Sequence, residues 1–116
     1  MENDQGAVKW VRSEIYFGTS IPSGGEVSEE QFSSFLEDPV TKAFPGGMTA
    51  FDAYGQMEKA DGSIVRQETR VVLLVHDGNQ QSEQAIADII GAYRSRFGNP
   101  QVMHLRTETE PQFWGD

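Results

Sequence analysis

The stretch TAFDAYGQMEKADGSIVRQETRVVLLVH, residues 49–76, reads as two strands joined by a tight turn. β-Branched and aromatic residues recur along both arms. Asp61-Gly62 between them is a dipeptide that hairpin turns favour, because glycine reaches the positive φ such turns need. The first strand is expected over about Thr49–Lys59 and the second over about Ser63–His76. A two-residue loop without a bulge pairs Tyr54 with Thr69 and Asp52 with Val71. Val71, Leu73 and Val75 then share a face with Asp52 and Tyr54, and the second strand is apolar on both faces.

Working outward, the same alternation of element types appears on both flanks. Upstream, Val11–Gly18 is rich in strand formers and stops at the breaker run Ser20-Ile21-Pro22-Ser23-Gly24-Gly25. Ser28-Glu29-Glu30-Gln31 is a capping box, and Val27 with Phe32 occupies the positions of a hydrophobic staple. The helix that follows carries Phe32, Phe35 and Leu36 on one stripe. Asp38-Pro39 restarts a short turn bearing Val40 and Phe44 before Pro45-Gly46-Gly47 ends it. Downstream of the hairpin, Ile86, Ile89, Ile90, Tyr93 and Phe97 recur at helical spacing with Gly98 as the terminating residue, and a last strand covers about Gln101–Thr107. The order β-α-β-β-α-β predicts an α+β, ferredoxin-like fold: an antiparallel sheet in spatial order 4-1-3-2 with both helices on one face. One domain spans residues 1–116, with residues 1–8 and 109–116 expected as flexible tails.

Composition narrows the function. The 116 residues include 9 basic and 18 acidic side chains, a net charge of −9, and no cysteine. A chain of this length removes roughly two thirds of its unfolded surface from water, enough for one core without staples. The lack of cysteine excludes disulfides, thiolate-held metals and a cysteine nucleophile. Scattered basic residues on an acidic chain argue against nucleic acid as a partner. The longest strongly apolar run, Val71–Val75, is far too short for a membrane helix, so no membrane insertion is expected. The first residues show neither a basic nor an apolar leader region, which reads as a soluble cytoplasmic protein or an exported one with its leader removed.

Two helices cover one face of a sheet, yet the third strand is greasy on both. Something must shelter the second face, and a second copy of the same sheet does so economically, giving a homodimer of the dimeric α/β barrel kind. Alternation assigns Val11, Ser13, Ile15, Phe17, Phe51, Ala53, Gly55, Met57, Met103 and Leu105 to the helix side. The helix-free face then collects Arg12, Glu14, Tyr16, Asp52, Tyr54, Gln56, His104 and Arg106 around the aliphatic strip. A sheltered apolar patch with a few converging polar groups is the makeup of a small-molecule site. In that site Glu14, Asp52 and His104 are the catalytic acid–base candidates, and Arg12, Tyr16, Tyr54, Gln56 and Arg106 the ligand-binding ones. A plain ion pair between Arg12 and Glu14 that sets dimer register is the structural alternative. His76 reads as a turn residue on the face opposite His104, so no metal site is expected. Neither glycine-rich loop matches a phosphate-binding pattern, and no cofactor is implied.

Five stretches carry a resemblance: Arg12-Ser13-Glu14-Ile15-Tyr16-Phe17-Gly18, Val27-Ser28-Glu29, Phe44-Pro45-Gly46-Gly47-Met48-Thr49, Asp52-Ala53-Tyr54-Gly55-Gln56 and Tyr93-Arg94-Ser95-Arg96-Phe97. Together they resemble an uncharacterised bacterial family of unknown function with ELYFG, FPxGLT and DxxGQW motifs, over about Val11–Phe97. Met57 stands where the family has tryptophan, and Phe32 where it has an aromatic residue. The resemblance implies no activity. It does imply that the shared polar positions fall on Arg12, Glu14, Thr49, Asp52 and Gln56, and that relatives include exported or lipoprotein-like chains. The functional expectation is a homodimeric small-molecule binder, or a cofactor-independent enzyme of isomerase, cyclase or lyase type. The alternative is a non-catalytic assembly or regulatory protein that binds a protein partner through the same face.

Overall fold

The computed structural model describes residues 10–115; the expected tail at residues 1–8 lies outside them. Strand β1 spans Trp10–Gly18, β2 Thr49–Glu58, β3 Ile64–His76 and β4 Val102–Thr109. Helix α1 covers Glu29–Phe35, α2 the single turn Thr41–Ala43, and α3 Gln80–Arg96. The four strands form one antiparallel sheet in the order β2-β3-β1-β4, the arrangement expected of a ferredoxin-like fold.

Local chemistry explains the helix ends. The Ser28 hydroxyl accepts from the Gln31 amide at 3.1 Å while the Gln31 side chain accepts from the Ser28 amide at 2.9 Å, so two otherwise unpaired donors of α1 are satisfied. Val27 and Phe32 of the staple are both buried. Between α1 and α2 the helix is interrupted at Asp38, whose extended φ/ψ of −156° and 112° is the region that a following proline imposes. Asn79 caps α3 by accepting from the Ser82 amide at 2.8 Å, and Gly98 ends it at φ +81°.

All the helices pack on one face of the sheet. Ile15 and Phe17 of β1 and Val72 and Leu74 of β3 meet Phe32 and Phe35 of α1, Val40 ahead of α2, and Ile86, Ile89 and Tyr93 of α3. Aromatic rings dominate: Phe17 lies 4.6 Å from Tyr93, 5.6 Å from Phe32 and 5.8 Å from Phe35, mostly edge to face. The Tyr93 hydroxyl donates to the Gly18 carbonyl at 2.7 Å, and burial pushes its pKa up to about 12.

The hairpin departs from the expected register. The loop has three residues, Ala60-Asp61-Gly62, closed by Lys59 N–H donating to Ser63 O and Gly62 N–H donating to Lys59 O, with Gly62 at φ +89°. Asp52 therefore pairs with Arg70 and Tyr54 with Glu68, one residue off the two-residue-loop alignment. Because strand side chains alternate, that single step carries every β2 side chain to the opposite face.

Candidate functional site

The helix-free face is built on the alternate residues of β1. Arg12 stands opposite Val75, Glu14 opposite Leu73, and Tyr16 opposite Val71. From β4, Leu105 flanks Glu14 and Met103 flanks Tyr16; from β2, Phe51 flanks Val71. Phe51, Val75, Met103 and Leu105 remain 42–51% exposed, an apolar surface that the other described residues leave open. Three polar groups close on one another within it. The Arg12 guanidinium lies 2.7 Å from one Glu14 oxygen, and the Tyr16 hydroxyl donates to the other at 2.8 Å. That hydrogen bond to a carboxylate raises the Tyr16 pKa above its usual value.

Leu73 and Arg12 share this face, as the sequence reading requires, but five of the eight candidate residues do not. The register step places Asp52, Tyr54 and Gln56 on the helix side, where they pair with Arg70, Glu68 and Arg66. Asp52 is held there by Arg70, 2.8 Å away, so it is not a partner of Glu14. Their places are taken by Thr49, Phe51, Ala53, Gly55 and Met57, all expected on the helix side. On β4, His104 pairs with Ile15 and Arg106 with Ser13, which also sets both on the helix side. The more apolar Met103 and Leu105 go to the face without helices, so hydrophobicity assigned the faces of this edge strand the wrong way round.

The displaced side chains form a polar cluster that the sequence reading missed. His76 Nε2 and His104 Nε2 each lie 3.0 Å from the Ser13 hydroxyl. The two histidines thus share one face instead of lying on opposite ones. The Gly78 N–H donates to His76 Nδ1 at 3.1 Å, which makes the neutral ring the Nε2–H tautomer. That N–H points to Ser13, leaving the serine proton for His104. Arg106 completes the group by donating from Nε to Glu83 at 2.7 Å. Burial lowers both histidine pKa values, and the Arg106 hydrogen bond lowers that of Glu83. Ser13 is 0% exposed, so no substrate meets its hydroxyl. The available signal was Ser13 itself, a polar residue in the otherwise apolar set Val11, Ile15 and Phe17.

A cleft of about 900 Å³ opens at the rim of the helix-free face. Its position follows from strand length. β2 begins at Thr49 opposite Leu73, so β3 beyond that point has no β2 neighbour, and the segment after α2 passes alongside instead. Leu73 and Val75 form one side, Trp10, Phe44 and Phe113 contribute rings, and Asp77 lies at the mouth of α3. Trp10 and Phe113 meet edge to face at 6.2 Å, although Phe113 is still 79% exposed. Asp77 accepts from the Asn79 amide at 3.0 Å, the Ser82 hydroxyl at 2.9 Å and the Asn79 side chain at 2.8 Å. These hydrogen bonds, chiefly that from the Asn79 amide, hold its pKa below the ordinary carboxylate value. Among the described residues no group of three or more His, Asp or Glu is arranged to hold a metal ion, and no helix is long and apolar enough to cross a membrane.

The sequence matches the family described as "Protein of unknown function (DUF3574)" over residues 12–113. No curated protein has a matching sequence. Among solved structures, a phage SAM lyase in complex with S-methyl-5'-thioadenosine is similar, with a TM-score of 0.63, 11% identity, and coverage of 93% of this chain and 87% of that one. A phage SAM lyase in its apo state gives a TM-score of 0.54 at 14% identity, covering 93% and 86%. GlnK of B. subtilis in complex with ATP gives 0.50 at 13% identity, covering 87% and 84%. At these identities the likeness is one of fold.

Proposed function

The chain belongs to the family described as "Protein of unknown function (DUF3574)", and we propose that it is a homodimeric small-molecule-binding protein whose helix-free sheet faces cover one another and whose rim cleft holds the ligand. The observation that carries this reading is the adjacency of two features at the end of the helix-free face. An exposed apolar surface surrounds the closed Arg12–Glu14–Tyr16 network, and a cleft of about 900 Å³ opens at its edge. That volume is within the range of small-molecule sites, about 300–1,000 Å³, and its lining of apolar groups with a few polar ones is the usual makeup. A second copy is the economical cover, since a two-fold axis matches the same patch to itself. The phage lyase and GlnK, described with S-methyl-5'-thioadenosine and ATP, support a ligand-holding role for this fold. In the dimer Glu14 is the acid–base group of the enclosed space, oriented by Arg12 and Tyr16.

Sedimentation equilibrium together with a thermal-shift screen of nucleosides, nucleotides and common metabolites tests the proposal. The expected result is a dimer mass and at least one compound that raises the melting temperature, since a ligand selective for the native state must do so. Glu14→Gln should leave the dimer and that stabilisation intact, because Glu14 does not line the rim cleft, and should remove acid–base turnover in the enclosed space. A monomer at every concentration overturns the covering of the sheet. A dimer that no compound stabilises overturns the ligand role and favours assembly.

A further inference from the structure

We propose that the rim cleft receives an alkylated organic cation, held against the rings of Trp10, Phe44 and Phe113 with Asp77 as its counter-ion. The proposal rests on reading this cleft as the ligand site and adds the chemical class of what enters it. The three rings come from separate parts of the chain: β1, the segment after α2, and the stretch beyond β4. Aromatic faces carry negative potential and attract a cation placed over them. Among the described residues, Asp77 is the one charged group that lines the cleft. Arg12, which stands opposite Val75 of the cleft, is engaged with Glu14.

This lining selects by charge and by hydration. An anion would meet three aromatic rings and a carboxylate fixed in place by Asn79 and Ser82. At the positive end of α3, Asn79 accepts from the Ser82 amide and the Asp77 carboxylate sits beside it on the Ser82 hydroxyl, so negative charge is already placed there. A bare ammonium or metal ion keeps its water more tightly than an alkylated onium centre, whose methyl shell also gains contact with Leu73 and Val75. The net charge of −9 draws cations toward the whole molecule.

Choline is the probe, compared by calorimetric titration with its neutral isostere, in which a tert-butyl group replaces the trimethylammonium, and with the anion pivalate. Choline should bind about tenfold more tightly than the neutral isostere, the ratio expected for a partly desolvated cation–π contact, and pivalate more weakly than either. Phe113→Leu should weaken choline several-fold while changing the isostere little; the ring is 79% exposed, so its loss spares the core. Asp77→Asn should shrink the preference for choline, with its melting temperature recorded because Asp77 also braces α3. Equal binding of choline and isostere, a preference for pivalate, or choline affinity unchanged by Phe113→Leu overturns the inference. If metabolites stabilise the protein while choline fails to bind, the cation class is wrong and the ligand site stands. If nothing binds, both fall.

Discussion

Asp52 stands opposite Arg70 across β2 and β3, its carboxylate 2.8 Å from a guanidinium nitrogen of a residue only 5% exposed. The second carboxylate near that cation, Glu68, is more distant at 3.6 Å. Removing Asp52 strands a buried charge, whereas removing Arg70 leaves carboxylates that water solvates. Asp52→Asn is therefore expected to lower the unfolding free energy by about 1–2 kcal/mol, a value reduced from that of a fully buried pair because the Asp52 side chain is largely exposed. Arg70→Met should cost less, and the double variant should resemble Arg70→Met. Urea denaturation of the three variants measures the order.

The pH dependence of stability has two separable windows. Burial holds His76 and His104 below the ordinary imidazole value of 6.5. The unfolded chain then takes up protons that the folded chain resists, so stability rises with pH across that interval. Unfolding free energy should be at its full value above about pH 7, decline as pH falls through the unfolded histidine value, and level off below the folded ones. Asp61, Asp77 and Glu83 are held below ordinary carboxylate values, and their contributions are lost only at more acid pH. A His76→Asn/His104→Asn double variant should flatten the upper window and keep the lower one, as followed by denaturation across a pH series.

Gly62 sits at φ +89°, where a β-carbon is strained. Gly62→Val should cost about 1–2 kcal/mol, and Gly62→Asn appreciably less, because asparagine tolerates the left-handed region. Comparison of thermal midpoints for the two variants checks this ranking.

Leu105 flanks Glu14 on the helix-free face and is 46% exposed. Leu105→Lys should leave the melting of the monomer within about 0.5 kcal/mol, as surface substitutions do. In the proposed dimer it would bury two unpaired ammonium groups, so the sedimentation mass should fall to that of one chain.

Most of the scaffold is legible in local signals. The capping box at Ser28, the Asp38-Pro39 break, the apolar stripe ending at Phe97 and the terminating Gly98 each act within a few residues, and each specifies its element. Strand order follows from those elements, because short connections leave few ways to arrange them. The faces were harder to read, since they depend on one loop length and on pairing partners far along the chain. Asp61-Gly62 is compatible with a two- or a three-residue loop, and the choice moves Asp52, Tyr54 and Gln56 across the sheet. On β4, the pairing with β1 sets His104 on the helix side, where the Ser13 hydroxyl satisfies it, a relation between residues 91 positions apart. Arg12, Glu14 and Tyr16 were placed correctly with respect to β3 because the core-facing alternation of Val11, Ile15 and Phe17 settles β1 by itself.

The far end of the β2–β3 hairpin outruns the helices, and from Tyr54 to Glu68 no residue is buried. This ribbon is held by its own cross-strand ladder and, at its root, by the Thr19 hydroxyl donating to the Glu68 carbonyl at 2.8 Å. It therefore peels from the tip inward without disturbing the aromatic centre, and its amide hydrogens exchange with solvent long before those of Val72 and Leu74. The protein thus pairs a firm body with a loosely tethered arm that opens at little energetic expense.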